Sequence, residues 1–195
     1  MTTYDSDSRR PGWSAKLTAT EYRAIPEGPP WVELIDGCLV EEPSPSGAHQ
    51  DAIGLLYSLI LPWTRSRKSG LIRFAPFDVY LSEHDVLQPD LLFVAAERLS
   101  IVHDDGVHGA PDWVAEVLSP STARRDLEVK RAIYARSGVT ELWLMDPSLC
   151  EVMVFRLAEG AANPLRVHRS GDVLKSIVFP GLEIAVSDIF GGATG

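Results

Sequence analysis

Apolar residues recur along the chain in two periods, and each change of period marks an element. Ala52, Leu55, Leu56, Leu59, Ile60 and Trp63 repeat every three to four positions, which predicts a helix from about Ala48. The stretch 43–47, with two prolines and a glycine, is the loop before it. Nearly continuous apolar runs at 88–94, 113–118 and 141–146 predict buried strands, the first entered through Pro89. Residues 151–157 read as a strand pairing beside the third run through a turn at Pro147 and Ser148. Two short β-like runs, 31–35 and 38–41, flank Asp36 and Gly37 and read as a hairpin. Residues 71–81 read as a strand pair or one long bent strand, with Pro76 marking an edge or a bulge. Thr18 and Glu21 have the spacing of a reciprocal cap opening a short helix, which Pro26 and residues 28–30 end. Residues 119–122 supply cap residues for a helix to about Arg136, with Gly138 as its C-cap. Residues 97–112 are acidic and rich in turn residues, and the segment after 157 is strand-rich.

Strand, strand, helix, strand is the order of a mixed central β-sheet flanked by helices, an α/β (α+β) fold. The crossover from 113–118 through 122–136 to 141–146 is a βαβ unit, so its two strands should lie parallel. Residues 1–15 are polar and aperiodic, and are expected to be a flexible tail. The rest, 16–195, reads as a single domain without internal repeats.

Composition narrows this picture. The 195 residues are 45% hydrophobic, enough for one substantial core. No apolar stretch is long enough to span a bilayer, and the N-terminus lacks the apolar run of a secretory signal, so the expected compartment is the cytoplasm. Cys38 and Cys150 have no metal-ligand spacing and are expected to be free, partly buried thiols. The net charge of −9 weighs against a simple nucleic-acid binder. Two local basic segments, Arg65 to Arg73 and Arg124 to Arg136, are either phosphate contacts or solvated helix faces.

Charged residues in apolar settings are the candidate chemistry. Strand alternation puts Glu116 on one face with Val114 and Leu118, where an ionised carboxylate is costly unless paired or bound to a cation. Asp90 opens the apolar run that follows Pro89. Two carboxylates at the ends of adjacent strands can hold one Mg²⁺, and the backbone carbonyl of Val117 could add a third oxygen. Lys130 shares a helix stripe with Leu127, Ile133 and Tyr134. It either snorkels, pairs with Asp126 four residues earlier, or reaches back over the strand of Glu116. Such a metal and lysine suit phosphodiester hydrolysis; structural ion pairs around a sheet are the alternative. Glu33 is either a further site acid or an exposed edge-strand glutamate. His49 is either a contact to phosphate or water near the metal or a helix-start histidine with a satisfied hydrogen bond. His103 to Asp105 read as loop residues, Ser119 and Ser121 as caps, and Asp146 as a turn former.

Several motifs together carry a resemblance. WVELIDG (31–37), PSP (43–45), HQ (49–50), QPD (88–90), PDWVAEVLSPST (111–122), Asp126, Lys130, Tyr134 and ELWLMDP (141–147) occur in an order similar to the bacterial Uma-type restriction endonuclease family. The similarity runs from about Thr18 to Phe190. It implies a restriction-endonuclease-like fold and a PD-(D/E)XK site, with Asp90 as first metal ligand, Glu116 as the acid of the second half-motif, and Glu33 at a matching position. The superfamily pattern has a lysine two residues after that acid, where this chain has Leu118; the family resemblance places the lysine on the following helix, at Lys130. The implied function is Mg²⁺-dependent (or Mn²⁺-dependent) cleavage of DNA, in a homodimer. The competing readings are a nuclease-fold module that binds DNA or protein without cutting, and a hydrolase of another phosphate ester.

Overall fold

A short capped helix opens the chain described by this computed structural model, which covers residues 16–26, 28–159 and 162–191. The expected tail, 1–15, lies outside the described residues. In α1 (Ala19–Arg23) the Thr18 hydroxyl accepts the N–H of Glu21 while the Glu21 carboxylate accepts the N–H of Thr18. Asp36 and Gly37, both at positive φ, turn β1 (Val32–Ile35) into β2 (Cys38–Glu41), as the Asp-Gly pair predicts. α2 (Gly47–Arg67) starts at the Ser46 cap and buries Ala52, Leu56, Ile60 and Trp63 from the expected stripe. Arg65, Arg67 and Lys68 at its end are exposed.

The segment read as a strand pair or one bent strand is two strands in different sheets: β3 (Gly70–Phe74) and β4 (Val79–Ser82). Pro76 sits between them. The strand expected over 88–94 begins only at Leu91, and a further short strand precedes the run. β5 (Asp85–Leu87) pairs with β1 and β4, whereas β6 (Leu91–Ala95) pairs with β3. Pro89, with no N–H to give to a ladder, falls in the crossing between them. Asp90 therefore stands where the chain passes from one sheet to the other. A 3-10 turn (Ala96–Ile101) leads to the small hairpin β7 (Val102–His103) and β8 (Gly106–His108).

β9 (Trp113–Val117) is followed by α3 (Ala123–Arg125), a π-helical turn (Asp126–Lys130) and α4 (Arg131–Ser137), ending on Gly138 at φ 93°. Ser119, not Thr122, caps this start: its hydroxyl accepts the Thr122 N–H at 3.3 Å. β10 (Glu141–Asp146) then runs parallel to β9, with Leu144 beside Glu116. β11 (Glu151–Arg156), β12 (Arg166–His168), the hairpin of β13 (Val173–Lys175) and β14 (Glu183–Ala185), and α5 (Val186–Phe190) complete the described chain.

The central sheet has the order β12-β11-β10-β9-β6-β3, and a second sheet the order β2-β1-β5-β4-β8-β7. Strand alternation gives the central sheet two apolar faces. Leu91, Phe93, Trp113, Ala115 and Trp143 pack against the α2 stripe. Leu92, Val94, Val114, Leu118, Leu142 and Leu144 pack against Ile133 and Tyr134 of α4, together with Val79 and Leu87 of the second sheet. Asp90 and Glu116 fall in the alternation of this second face. The layer between the central sheet, α4 and the second sheet is therefore where both carboxylates go.

Among the described residues no helix is long and apolar enough to cross a membrane. Cys38 is exposed and Cys150 half-buried, both free; the exposure of Cys38 corrects the expected partial burial, because its side chain alternates outward at the start of β2.

Candidate active site

Register brings the two acids together. Leu91 pairs with Ala115 in the antiparallel ladder of β6 and β9, so the next positions along, Asp90 and Glu116, face each other. The backbone N–H of Asp90 donates to Glu116 Oε2 at 3.4 Å. Asp90 Oδ2 accepts the N–H of Val117 at 2.7 Å and lies 3.2 Å from His49 Nε2, delivered by the first turn of α2. His49 Nδ1 is buried without a hydrogen-bond partner.

Lys130 does not snorkel; it is 3% exposed. The π-helical turn explains its direction. Arg131 donates its N–H to the carbonyl of Asp126, one residue farther back than in an α-helix, and the widened turn buries both Asp126 and Lys130. Lys130 Nζ stands 2.9 Å from Glu33 Oε1, 3.4 Å from Glu116 Oε1, 3.7 Å from Glu42 Oε1 and 3.8 Å from Asp126 Oδ1. Two of the readings of this lysine therefore hold together: it meets Asp126 and it reaches Glu116. Glu33 is not an exposed edge glutamate. β1 lies between β2 and β5, and its carboxylate is fully buried, also accepting the N–H of Gln88 at 2.7 Å.

Burial and crowding set the protonation of this cluster. Four carboxylates around one ammonium exceed the charge that Lys130 and Arg125 offset, so they cannot all ionise alike. Burial and the neighbouring Asp90 hold the Glu116 carboxyl well above the usual carboxylate range, against the pull of Lys130. Burial pushes Glu42 up to about 8, again opposed by Lys130. Burial would raise Glu33 too, but the Lys130 ammonium and the N–H of Gln88 bring it below its ordinary value. Burial alone would lower Lys130; the surrounding carboxylates, Glu116 foremost, hold it firmly protonated. The ion pair of Lys130 with Glu33 is thus the fixed charge of the site, while burial favours the protonated form of Glu116, Glu42 and Asp126.

A cleft of about 700 Å³ opens onto these groups, lined among others by Glu42, His49, Asp90, Glu116, Val117 and Lys130. Comparison with known proteins bears on what it does. The family model Uma2, described as "Putative restriction endonuclease", matches residues 19–187. The chain belongs to this family. A solved structure, described as a putative nuclease belonging to DUF820 from Anabaena variabilis, superposes with a TM-score of 0.75 at 21% identity, covering 90% of this chain and 98% of that one. This Uma2 chain therefore has the fold of that nuclease-like neighbour, with mixed sheets flanked by helices. No curated protein matches it.

The structure of this Uma2 protein thus brings Asp90, Glu116, Lys130 and His49 to one cleft, with Glu33 fully buried behind it against Lys130. Sequence reasoning missed three others. Tyr134 sends its hydroxyl to Glu116 Oε1 at 2.6 Å, entirely buried. Glu42 completes the Lys130 shell and accepts from Arg125 Nη2 at 2.6 Å. Gln88 fixes Glu33 through its backbone. Tyr134 had a signal, its place four residues after Lys130 on the same stripe; Glu42 had none beyond its neighbour Pro43. His103 and Asp105 lie in the β7–β8 hairpin, away from the cleft lining. Asp146 accepts the N–H groups of Ser148 and Leu149 in a turn, as its sequence context predicts.

Proposed function

We propose that this protein hydrolyses DNA phosphodiester bonds with a divalent metal, Mg²⁺ or Mn²⁺, held by Asp90, Glu116 and the backbone carbonyl of Val117. One observation carries the reading: two carboxylates meet across adjacent strands at the cleft, with a buried ammonium 3.4 Å from one of them.

The donor set fits such an ion. Among the described residues no group of three or more His, Cys, Asp or Glu is arranged as a complete metal cage. Mg²⁺ needs no such cage, since it is usually held by one or two carboxylates with water and substrate phosphate. When bound, it would polarise the phosphoryl oxygen and acidify a water. The chain's own residues do the rest. Lys130 neutralises Glu33 and steadies Glu116 beside the metal site. The Val117 N–H and His49 orient Asp90. Tyr134 orients Glu116. Cutting both strands of a duplex would take two such sites, as in a homodimer, and a DNA substrate fits the cytoplasm.

The test is cleavage of labelled DNA by the wild type, Asp90→Asn and Glu116→Gln, with Mg²⁺, Mn²⁺ or EDTA. Both substitutions keep the shape and replace a carboxyl oxygen, a metal ligand on this reading, by an amide nitrogen. The expected result is metal-dependent cutting that each substitution lowers roughly a hundredfold or more. Cutting that persists in EDTA, or in both variants, refutes the assignment.

A further inference from the structure

Two large apolar side chains stand exposed at the cleft, Trp31 at 43% and Phe74 at 54%. Each belongs to backbone that also holds the acid site. The carbonyl of Trp31 accepts the N–H of Glu42 at 2.9 Å, and the Glu42 carboxylate faces Lys130. On the other side Ala75, next to Phe74, donates its N–H to the carbonyl of Asp90 at 3.1 Å. Tyr57 meets the Phe74 ring edge-on at 5.2 Å and holds its orientation. An aromatic ring fixed in place and left open to solvent is a platform for another flat ring.

The cleft lacks what a duplex needs. Among the described residues lining it, Lys130 is the sole lysine or arginine, and its ammonium is already taken by carboxylates. Tracking a duplex takes rows of Lys and Arg on the phosphates, and an acidic protein with no such row at its cleft forgoes that contact. The exposed basic residues at the end of α2 do not line it. A volume of about 700 Å³ is large enough for a few nucleotide units. Unpaired strands add a second source of affinity that a duplex cannot use, the stacking of their exposed bases on aromatic side chains.

We propose that the substrate is single-stranded DNA, with bases stacked on Trp31 and Phe74 and the intervening phosphate at Asp90 and Glu116. This rests on the phosphodiesterase reading above, and binding separates the two. Fluorescence anisotropy of a labelled oligonucleotide, single-stranded or annealed to its complement, is measured with the full-length protein in EDTA, where no metal-dependent cutting occurs. The single strand should bind at least tenfold tighter than the duplex. Trp31→Ala and Phe74→Ala should each weaken it by roughly five- to a hundredfold, and Trp31→Phe should restore most of the loss. With Mn²⁺ present, the alanine variants should raise KM for single strands and leave kcat nearly intact. Equal binding of both forms, or wild-type affinity in both alanine variants, overturns the proposal even if Asp90-dependent cutting is found. Selective, Trp31-dependent binding of single strands without cutting upholds the stacking platform and removes the hydrolytic reading instead.

Discussion

Replacing Lys130 by methionine tests the charge arrangement of the site without touching a proposed metal ligand. Methionine is unbranched and about as long, so the packing changes little. The charge changes a great deal. At 2.9 Å from Glu33 Oε1, the ammonium attracts that carboxylate by about 6 kcal/mol at an effective dielectric near 20, before desolvation is subtracted. Removing one partner of a buried pair costs about 3–5 kcal/mol, a large share of the roughly 5–15 kcal/mol that stabilises a domain. The loss must depend on pH. In the wild type, Glu33 lies below its ordinary value of 4.5, so its ion pair stabilises the fold above that pH and is lost as pH falls through the lower, folded value. Without Lys130 the same buried carboxyl rises above its ordinary value. The folded state then binds a proton that the unfolded chain has released, and stability falls as pH rises from about 4.5 upward. Urea unfolding at pH 5 and pH 8 should therefore show Lys130→Met close to the wild type at pH 5 and several kcal/mol weaker at pH 8. An equal loss at both values would mean that the lysine contributes packing alone, and the electrostatic account of the cluster would be wrong.

Tyr134→Phe removes one hydroxyl and leaves no cavity. Its 2.6 Å bond to Glu116 is fully buried, so the expected cost is about 1.5–3 kcal/mol, seen as a Tm lower by roughly 5–10 °C; an unchanged Tm would mean that the bond carries nothing. Because burial keeps Glu116 protonated above the usual carboxylate range, a bound cation must displace its proton. Calorimetric titration with Mn²⁺ should show affinity rising with pH, with proton release, and a flat profile without release would assign the metal to other residues.

How much of this was legible beforehand differs by element, for physical reasons. The α2 stripe and the Asp36-Gly37 hairpin follow from period and turn chemistry, which are local, and both form where the sequence puts them. The apolar run 88–94 is equally local in appearance, yet only Leu91 onward joins a strand, and the short β5 just before the run pairs in the other sheet. That switch is decided by the distant partners β1 and β3, and no pattern within seven residues carries that information. The candidate acids were legible because a charge in an apolar alternation is expensive, and expense is visible in sequence. Glu42 was not, because it follows an exposed strand end and becomes part of the cluster only through Arg125 and Lys130 on a distant helix.

The lysine shows which features of such a site are free and which are fixed. The position two residues after Glu116 lies on the same face of β9 and is occupied by Leu118, which packs into the apolar layer with Ile133 and Leu142. A lysine there would have to place its ammonium through that layer. Lys130 arrives from the opposite side, from the helix that connects β9 to β10, and the π-helical turn aims it inward. Its ammonium nonetheless stops 3.4 Å from Glu116, where a lysine on the strand would have to put it. In this chain a positive charge stands beside the buried carboxyl of Glu116, where an unpaired carboxylate would be costly. Which element supplies the charge is free, provided that its backbone can tolerate the turn that delivers it. The widened turn is the cost of that delivery, and burial of Leu118 offsets part of it.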